Sequence, residues 1–221
     1  EVSRDRHAYA KAALIEHDEQ DFVRGRAIIQ GYEGRFLVQN PPAIPLNTQE
    51  LDQVADLPYT RTYHPSYEEL GGVDAIREVE FSIIHNRGCF GACNFCALTM
   101  HQGRFVTSRS HQSVVKEAQR MTENPRFKGY IHDVGGPTAN FRHPSCKGQL
   151  TRGQTVPLPL ALPALKGDHS DYLALLRKLR AIPGVKKVFI RSGIRYDYMA
   201  CDPSGEFFAD LVRYHVSGQL K

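Results

Sequence analysis

From about residue 78 the chain alternates between short β-branched apolar runs and longer amphipathic ones, and this restricts the fold more than any other feature. "VEFSII" reads as a strand, and "SHQSVVKEAQRMTEN" then places Val114, Val115, Ala118 and Met121 on one helical face. "KGYIHDVGG" is a second strand pattern that ends in a double glycine, and "DHSDYLALLRKLRAIPG" is an amphipathic helix with Leu173, Leu176 and Leu179 as core positions. "VKKVFIRSGIR" is a third strand and "GEFFADLVRYHVSG" a third helix, followed by "QLK". Such alternation predicts an α/β fold with a parallel sheet, whose ligand sites lie in the turns after the strands. Three βα units and the start of a fourth strand are too few to close a barrel of about eight strands. The chain therefore reads either as a small open sheet or as part of a larger barrel, and we take the second reading.

Residues 1–77 carry shorter elements and no catalytic pattern. "EVSRDRHAYAKAALIEHDEQD" is an exposed helix that begins abruptly, as at an internal cut. "RAIIQGYEGRFLVQNPP" alternates around Gly31 and Gly34 as a hairpin does. Asn47 and Glu50 have capping-box spacing for a short helix that stops at Pro58.

The longest apolar run, "VPLPLALPALKG", is too short and too rich in proline to span a bilayer, and no leader pattern opens the chain. Its 28 basic and 24 acidic residues are well mixed, so nucleic-acid binding is allowed without being supported by the charge pattern. The five cysteines are odd in number and three are clustered, which points to a reducing, cytoplasmic setting rather than a disulfide framework.

The cluster is "NRGCFGACNFCALTMHQGR", with Cys89, Cys93 and Cys96 immediately after a strand. Incidental buried thiols or a disulfide are one reading. Zinc is another, although structural zinc usually takes paired short spacings, and here only the distant Cys146 or the histidines His85 and His101 could add a ligand. An iron–sulfur cluster fits best: three local thiolates leave one iron of a [4Fe-4S] cluster open to a substrate or cofactor. A non-catalytic zinc or iron–sulfur module for structure or redox sensing is the alternative from a different class.

C-x3-C-x2-C with Phe95 before the last cysteine resembles the signature of radical S-adenosylmethionine (radical SAM) enzymes. "NPPA", "LPYTRTYHPSYEELGGV", "DVGGPTANF", "KKVFIRSGIRYDY" and "YHVSGQLK" extend the similarity to the YgiQ family of radical SAM proteins, over nearly the whole chain. The resemblance implies a partial (β/α) barrel of TIM-barrel-like type, with 1–77 as lead-in and 78–221 as the amino-terminal part of the barrel core. It implies a [4Fe-4S] cluster on Cys89, Cys93 and Cys96, S-adenosylmethionine chelated at the open iron, and reductive cleavage to a 5′-deoxyadenosyl radical. A reductant such as flavodoxin or ferredoxin is then a partner. The substrate is unknown; RNA modification is suggested only by related families. No membrane is implied.

The same resemblance assigns the cofactor-binding residues. Phe95 lies near the adenine, or else anchors the loop. Gly135 and Gly136 offer backbone to the cofactor's amino group, with Pro137 standing where superfamily members carry an acidic residue, and Thr138 or Asn140 either substituting for that residue or only shaping the turn. Ser192 and Arg195 follow the third strand, Arg195 meeting the cofactor carboxylate or else forming a surface salt bridge. Asp133 is placed to orient polar groups or to form a turn. His169, beside Asp168 and Ser170 at a helix start, is read as structural, and His85 and His132 receive no role. Family members carry further cysteines where this chain has only Cys146, and Cys201 reads as a lone thiol.

Overall fold

The computed structural model describes residues 2–91, 93, 95–153 and 167–218. Most of the run "VPLPLALPALKG" and the final "QLK" lie outside the described residues. The chain divides into two compact units that interleave along the sequence. One comprises residues 1–45, 88–106 and 144–165; the other comprises 46–87, 107–143 and 166–221.

The first unit opens with α1 (Arg6–Glu19), capped by Asp5, whose side chain accepts from the amide of His7 (2.8 Å). No residue of α1 is buried. The predicted hairpin follows: β1 (Ile28–Tyr32) pairs antiparallel with β2 (Arg35–Gln39), Tyr32 opposite Arg35. Glu33 and Gly34 both have positive φ (35° and 83°), the backbone of a two-residue turn that matches the twist of its strands.

In the second unit, α2 (Thr48–Ala55) carries the full capping box: Asn47 Oδ1 accepts from Glu50 N (3.0 Å) and Glu50 Oε2 from Asn47 N (2.8 Å). A 3-10 turn (Pro65–Leu70) and α3 (Ile76–Val79) lead to β3 (Ser82–Ile84) and β4 (Asn86–Arg87). Then come β5 (Thr107–Ser108), antiparallel to β4, and α5 (His111–Thr122), with α4 (Leu98–Gln102) lying between β4 and β5 in sequence. β6 (Tyr130–Ile131) and β7 (Asp133–Gly135) are followed, after α6 (Gln149–Arg152), which like α4 belongs to the first unit, by α7 (Ser170–Arg180), β8 (Lys187–Val188), α8 (Tyr196–Ala200) and α9 (Glu206–Asp210).

The predicted parallel sheet is present in short ladders. β7 pairs parallel with β3, and β6 pairs parallel with β8. The expected single strand 128–136 divides at His132, whose amide bonds the carbonyl of Phe81 (2.9 Å), while Val134 N bonds Phe189 O (3.2 Å). Residues 130–135 are thus the middle run, bonded on one side to the β3 segment and on the other to the β8 segment. The fold is mixed α/β with small sheets, and no closed barrel forms among the described residues.

Ile83, Ile131, Val134 and Val188 from the strands meet Val114, Ala118 and Met121 of α5 and Leu175, Leu176 and Leu179 of α7. Each side chain so buried contributes about 1.5–3 kcal/mol. The other edge of β3 is sealed by charge: Arg61 donates to Ser82 O (3.2 Å) and Arg109 to Ile84 O (2.9 Å). Glu117 holds both guanidinium groups (2.5 Å each).

The third predicted helix is not uniform. After α9 the chain widens into a π-helical turn (Leu211–His215). This places His215 against the β8 segment, with Nδ1 on Val188 O (2.8 Å) and its carbonyl accepting from Ile190 N (3.1 Å). No helix among the described residues is long and apolar enough to cross a membrane.

Candidate functional site

The cysteine loop starts after β4 at Gly88, whose φ is +80° and whose missing Cβ leaves room for the carbonyl of Phe105. Cys89 is buried; its amide donates to Gly103 O (3.0 Å), and its Sγ lies 3.4 Å from the amide of Gly91. Thr99 Oγ1 donates to Cys89 O (3.4 Å), and the amide of Cys96 bonds the carbonyl of Cys93 (3.0 Å), which turns the chain towards α4. Amide contacts of the kind made to Cys89 Sγ are among the factors that set the potential of thiolate-held clusters.

Cys93 and Cys96 line a cavity of about 590 Å³, together with Phe95 and with Leu14 and His17 of α1. Phe95 is 92% exposed, so it does not anchor the loop. Cys89 is not part of this lining, and among the described residues no three His, Cys, Asp or Glu side chains are grouped to hold a metal ion. By the chemistry of the donor set the loop fits an iron–sulfur cluster: three thiols, none in a disulfide, lie within one short turn. Cys146 is half-buried elsewhere in the same unit, and Cys201 is an exposed thiol 3.3 Å from Asp197 O. His85 is committed otherwise. Its Nε2 donates to Ala139 O (2.9 Å), its Nδ1 accepts from Arg142 (3.3 Å), and burial followed by the Arg142 charge lowers its pKa to about 3.

The strand-end residues form their own arrangement in the second unit. Asp133 Oδ1 accepts from the amides of Arg191 (2.8 Å) and Ser192 (3.1 Å), and Oδ2 accepts from the Ser192 hydroxyl. The aspartate predicted to orient polar groups therefore fixes the loop that carries Ser192. A Cβ at Gly135 would strike Ser192 Oγ, and one at Gly136 would strike Asn86 Oδ1, so the double glycine is required by close packing. Asn86, 1% exposed, donates through Nδ2 to Thr138 O (3.1 Å) and Phe141 O (2.6 Å), and thereby shapes the turn after the glycines.

Asn140 does more than shape that turn. Its Oδ1 accepts from Arg195 N (2.8 Å) and its Nδ2 donates to Arg195 O (3.1 Å) and to His169 Nε2 (3.0 Å). The proton of His169 is then on Nδ1, facing Asp202 Oδ2 (3.1 Å), and the ring stacks on Phe207 at 4.6 Å. Burial lowers the pKa of His169 despite Asp202. His169 is structural and is itself the N-cap residue of α7, without a side-chain cap bond, while Asp168 Oδ1 accepts from the amide of Ser170 (2.9 Å) in the turn before the helix. The side chain of Arg195 pairs with Asp197 through Nε (2.8 Å) and Nη2 (2.8 Å), the salt-bridge alternative, and this pairing holds the Asp197 carboxyl below the usual range.

Residues 1–82 match the protein family described as Radical SAM N-terminal. Over its whole length the chain is similar to UPF0313 proteins. One from Clostridium perfringens is 55% identical over 225 residues, covering all of this chain and 34% of the relative. One from Clostridium botulinum strain Okra is also 55% identical over 225 residues, covering all of this chain and 35% of the relative. The chain thus spans about a third of the length of the curated relatives it matches. The Radical SAM N-terminal match ends before Cys89, whereas the similarity to the UPF0313 proteins runs through the cysteine loop and the strand ends.

Asn140, His169, Asp202 and, in the wall of the cysteine cavity, Arg104 have partners that the sequence concealed, although His169 is structural as expected. A polar residue in a strand-end turn is a weak signal. None of these four carries a motif spacing.

Proposed function

We propose that this chain carries the cluster- and cofactor-binding part of a cytoplasmic radical SAM enzyme, with Cys89, Cys93 and Cys96 as ligands of a [4Fe-4S] cluster. The observation that supports the reading most is three thiols on one loop, none in a disulfide and two of them lining a cavity of about 590 Å³. The relationship to a radical SAM N-terminal family supports it independently. When bound and reduced, such a cluster supplies the electron that cleaves S-adenosylmethionine to methionine and a 5′-deoxyadenosyl radical. The reductant is of the flavodoxin or ferredoxin class.

In this reading the chain's own residues bind and orient. Gly88 and the bonds to Cys89 set the loop, and Phe95 offers an exposed ring to the adenine. Gly135 and Gly136 present backbone, with Ser192 fixed beside them by Asp133. Arg195 meets the cofactor carboxylate only by exchanging it for Asp197. The parallel ladders of β3 with β7 and of β6 with β8 are read as the start of a partial (β/α) barrel within 78–221, preceded by the lead-in 1–77.

The test is anaerobic reconstitution with iron and sulfide, reduction, addition of S-adenosylmethionine and assay for 5′-deoxyadenosine, with Cys93→Ala as control. Product from the wild type alone supports the reading. Tight zinc binding with no iron uptake would replace it with a non-catalytic metal module.

A further inference from the structure

Arg104 lines the cysteine cavity but is itself only 6% exposed. Its Nη2 meets His17 Nε2 on α1, and its Nε is buried without a partner. Arginine does not give up its proton in proteins, so His17 Nε2 is the acceptor and the imidazole proton sits on Nδ1, 3.5 Å from Asp18 Oδ1. Asp18 and Asp21 act on the guanidinium only at longer range; no carboxylate pairs with it within 4.0 Å among the described residues, and burial outweighs both in lowering its pKa. A buried charge left in this state is expensive unless a counter-charge meets it.

The rest of the residue is firmly placed. Gln149 Nε2 donates to Arg104 O (3.1 Å), and Phe105 packs edge-on against Phe22 at 5.8 Å. Gln20, just past α1, donates to Met100 O at the other side of the cavity wall. α1 presents Tyr9, Ala10, Ala13, Leu14, Glu16 and His17 to the same cavity, a stripe at helical spacing that brings one carboxylate, Glu16, to the wall. The helix that buries nothing in a core is therefore one wall of the cysteine cavity.

We propose that Arg104 is the counter-charge of this cavity: its guanidinium, fixed by His17, stabilises the anionic thiolate-held group that Cys93 and Cys96 present there. A cluster on three thiolates is net negative and becomes more so on reduction, so a fixed cation beside it favours the reduced form. This rests on the reading that the cysteines hold a cluster. It assigns the segment before residue 20 a part in that site.

The test uses the full-length protein and two readouts. In the metal-free form, Cys93 and Cys96 are alkylated with iodoacetate and with iodoacetamide, and the ratio of the two rates is measured by peptide mass spectrometry. A positive cavity favours the anionic reagent, and the ratio cancels changes in access. Arg104→Gln is expected to lower the ratio several-fold and Arg104→Lys to retain it. Should Arg104→Gln fail to fold by circular dichroism, Arg104→Met removes the charge while keeping the apolar stem. In the iron-loaded form, the charge-removing variant is expected to disfavour reduction about tenfold, a midpoint lower by about 59 mV for one electron. An unchanged alkylation ratio in a folded variant overturns the proposal. Absence of iron in the wild type overturns the cluster reading instead, and leaves the ratio to decide this one.

Discussion

The two units owe their order to different kinds of interaction. In the unit formed by 46–87, 107–143 and 166–221, strands and helices bury a continuous apolar core, with Val114, Ala118, Leu175, Leu176 and Val188 fully inaccessible. In the unit that carries the cysteines, the buried apolar side chains among the described residues are Cys89, Phe90, Phe105 and Val106, while α1 and the β1–β2 hairpin bury none. One unit is shaped by packing. The other is shaped by turns, caps and polar ties such as His17 to Arg104 and Gln20 to Met100. The contrast teaches that the cysteine loop and the continuous apolar core are placed in different stretches of this chain.

The sharpest way to break the comparison is to damage the core. Leu176→Ala should cost about 2–5 kcal/mol by opening a cavity, seen as a lower urea midpoint; a cost under about 1 kcal/mol would mean the second unit is not packing-driven. Next in size is Asn140→Ala, which strips three hydrogen bonds, one from the buried ring of His169 and two from the half-buried backbone of Arg195. It should cost about 1–3 kcal/mol, and amide exchange at Arg195 should accelerate.

The pH dependence of stability should come from the second unit. His85 has a folded pKa of about 3, below its ordinary value of 6.5, so the unfolded chain binds the proton first as pH falls. Its contribution is therefore complete above pH 6.5 and shrinks by about 1.4 kcal/mol per pH unit on the way down to its folded value. His85→Gln should flatten the urea midpoint against pH over that window; an unaltered slope would show that the ring is not the buried neutral group described. Arg195→Gln removes a partly exposed pair with Asp197 and should change stability by no more than about 1 kcal/mol. Least of all, Phe36→Ser on the hairpin, where the ring is 75% exposed, should stay within about 0.5 kcal/mol. A large loss there would give the first unit a packed face that the contrast denies it.

The legible parts of the fold were those with a local cause. Asn47 and Glu50 cap α2 because three residues separate them, and the hairpin turns at Glu33 and Gly34 because a glycine there accepts positive φ. α5 and α7 follow apolar periodicity, and Val114, Ala118 and Met121 are buried as their spacing requires. The misjudged elements had distant causes. The expected strand 128–136 splits at His132 because that amide is taken by Phe81, and the last helix widens because His215 reaches back to Val188.

For the candidate site, the sequence by itself determined that three thiols at C-x3-C-x2-C spacing stay close along the chain whatever surrounds them. It also determined that the second strand ends in two residues without side chains. Only the tertiary structure decided that Asp133 fixes Ser192, that Asn140 clamps the backbone of Arg195, and that Arg104 meets His17 across 87 positions of chain. The physical reason is range. Periodicity, capping and turn preference act over a few residues and leave a written pattern. A hydrogen bond between groups far apart in the chain leaves none, and exists only once the fold has brought them together.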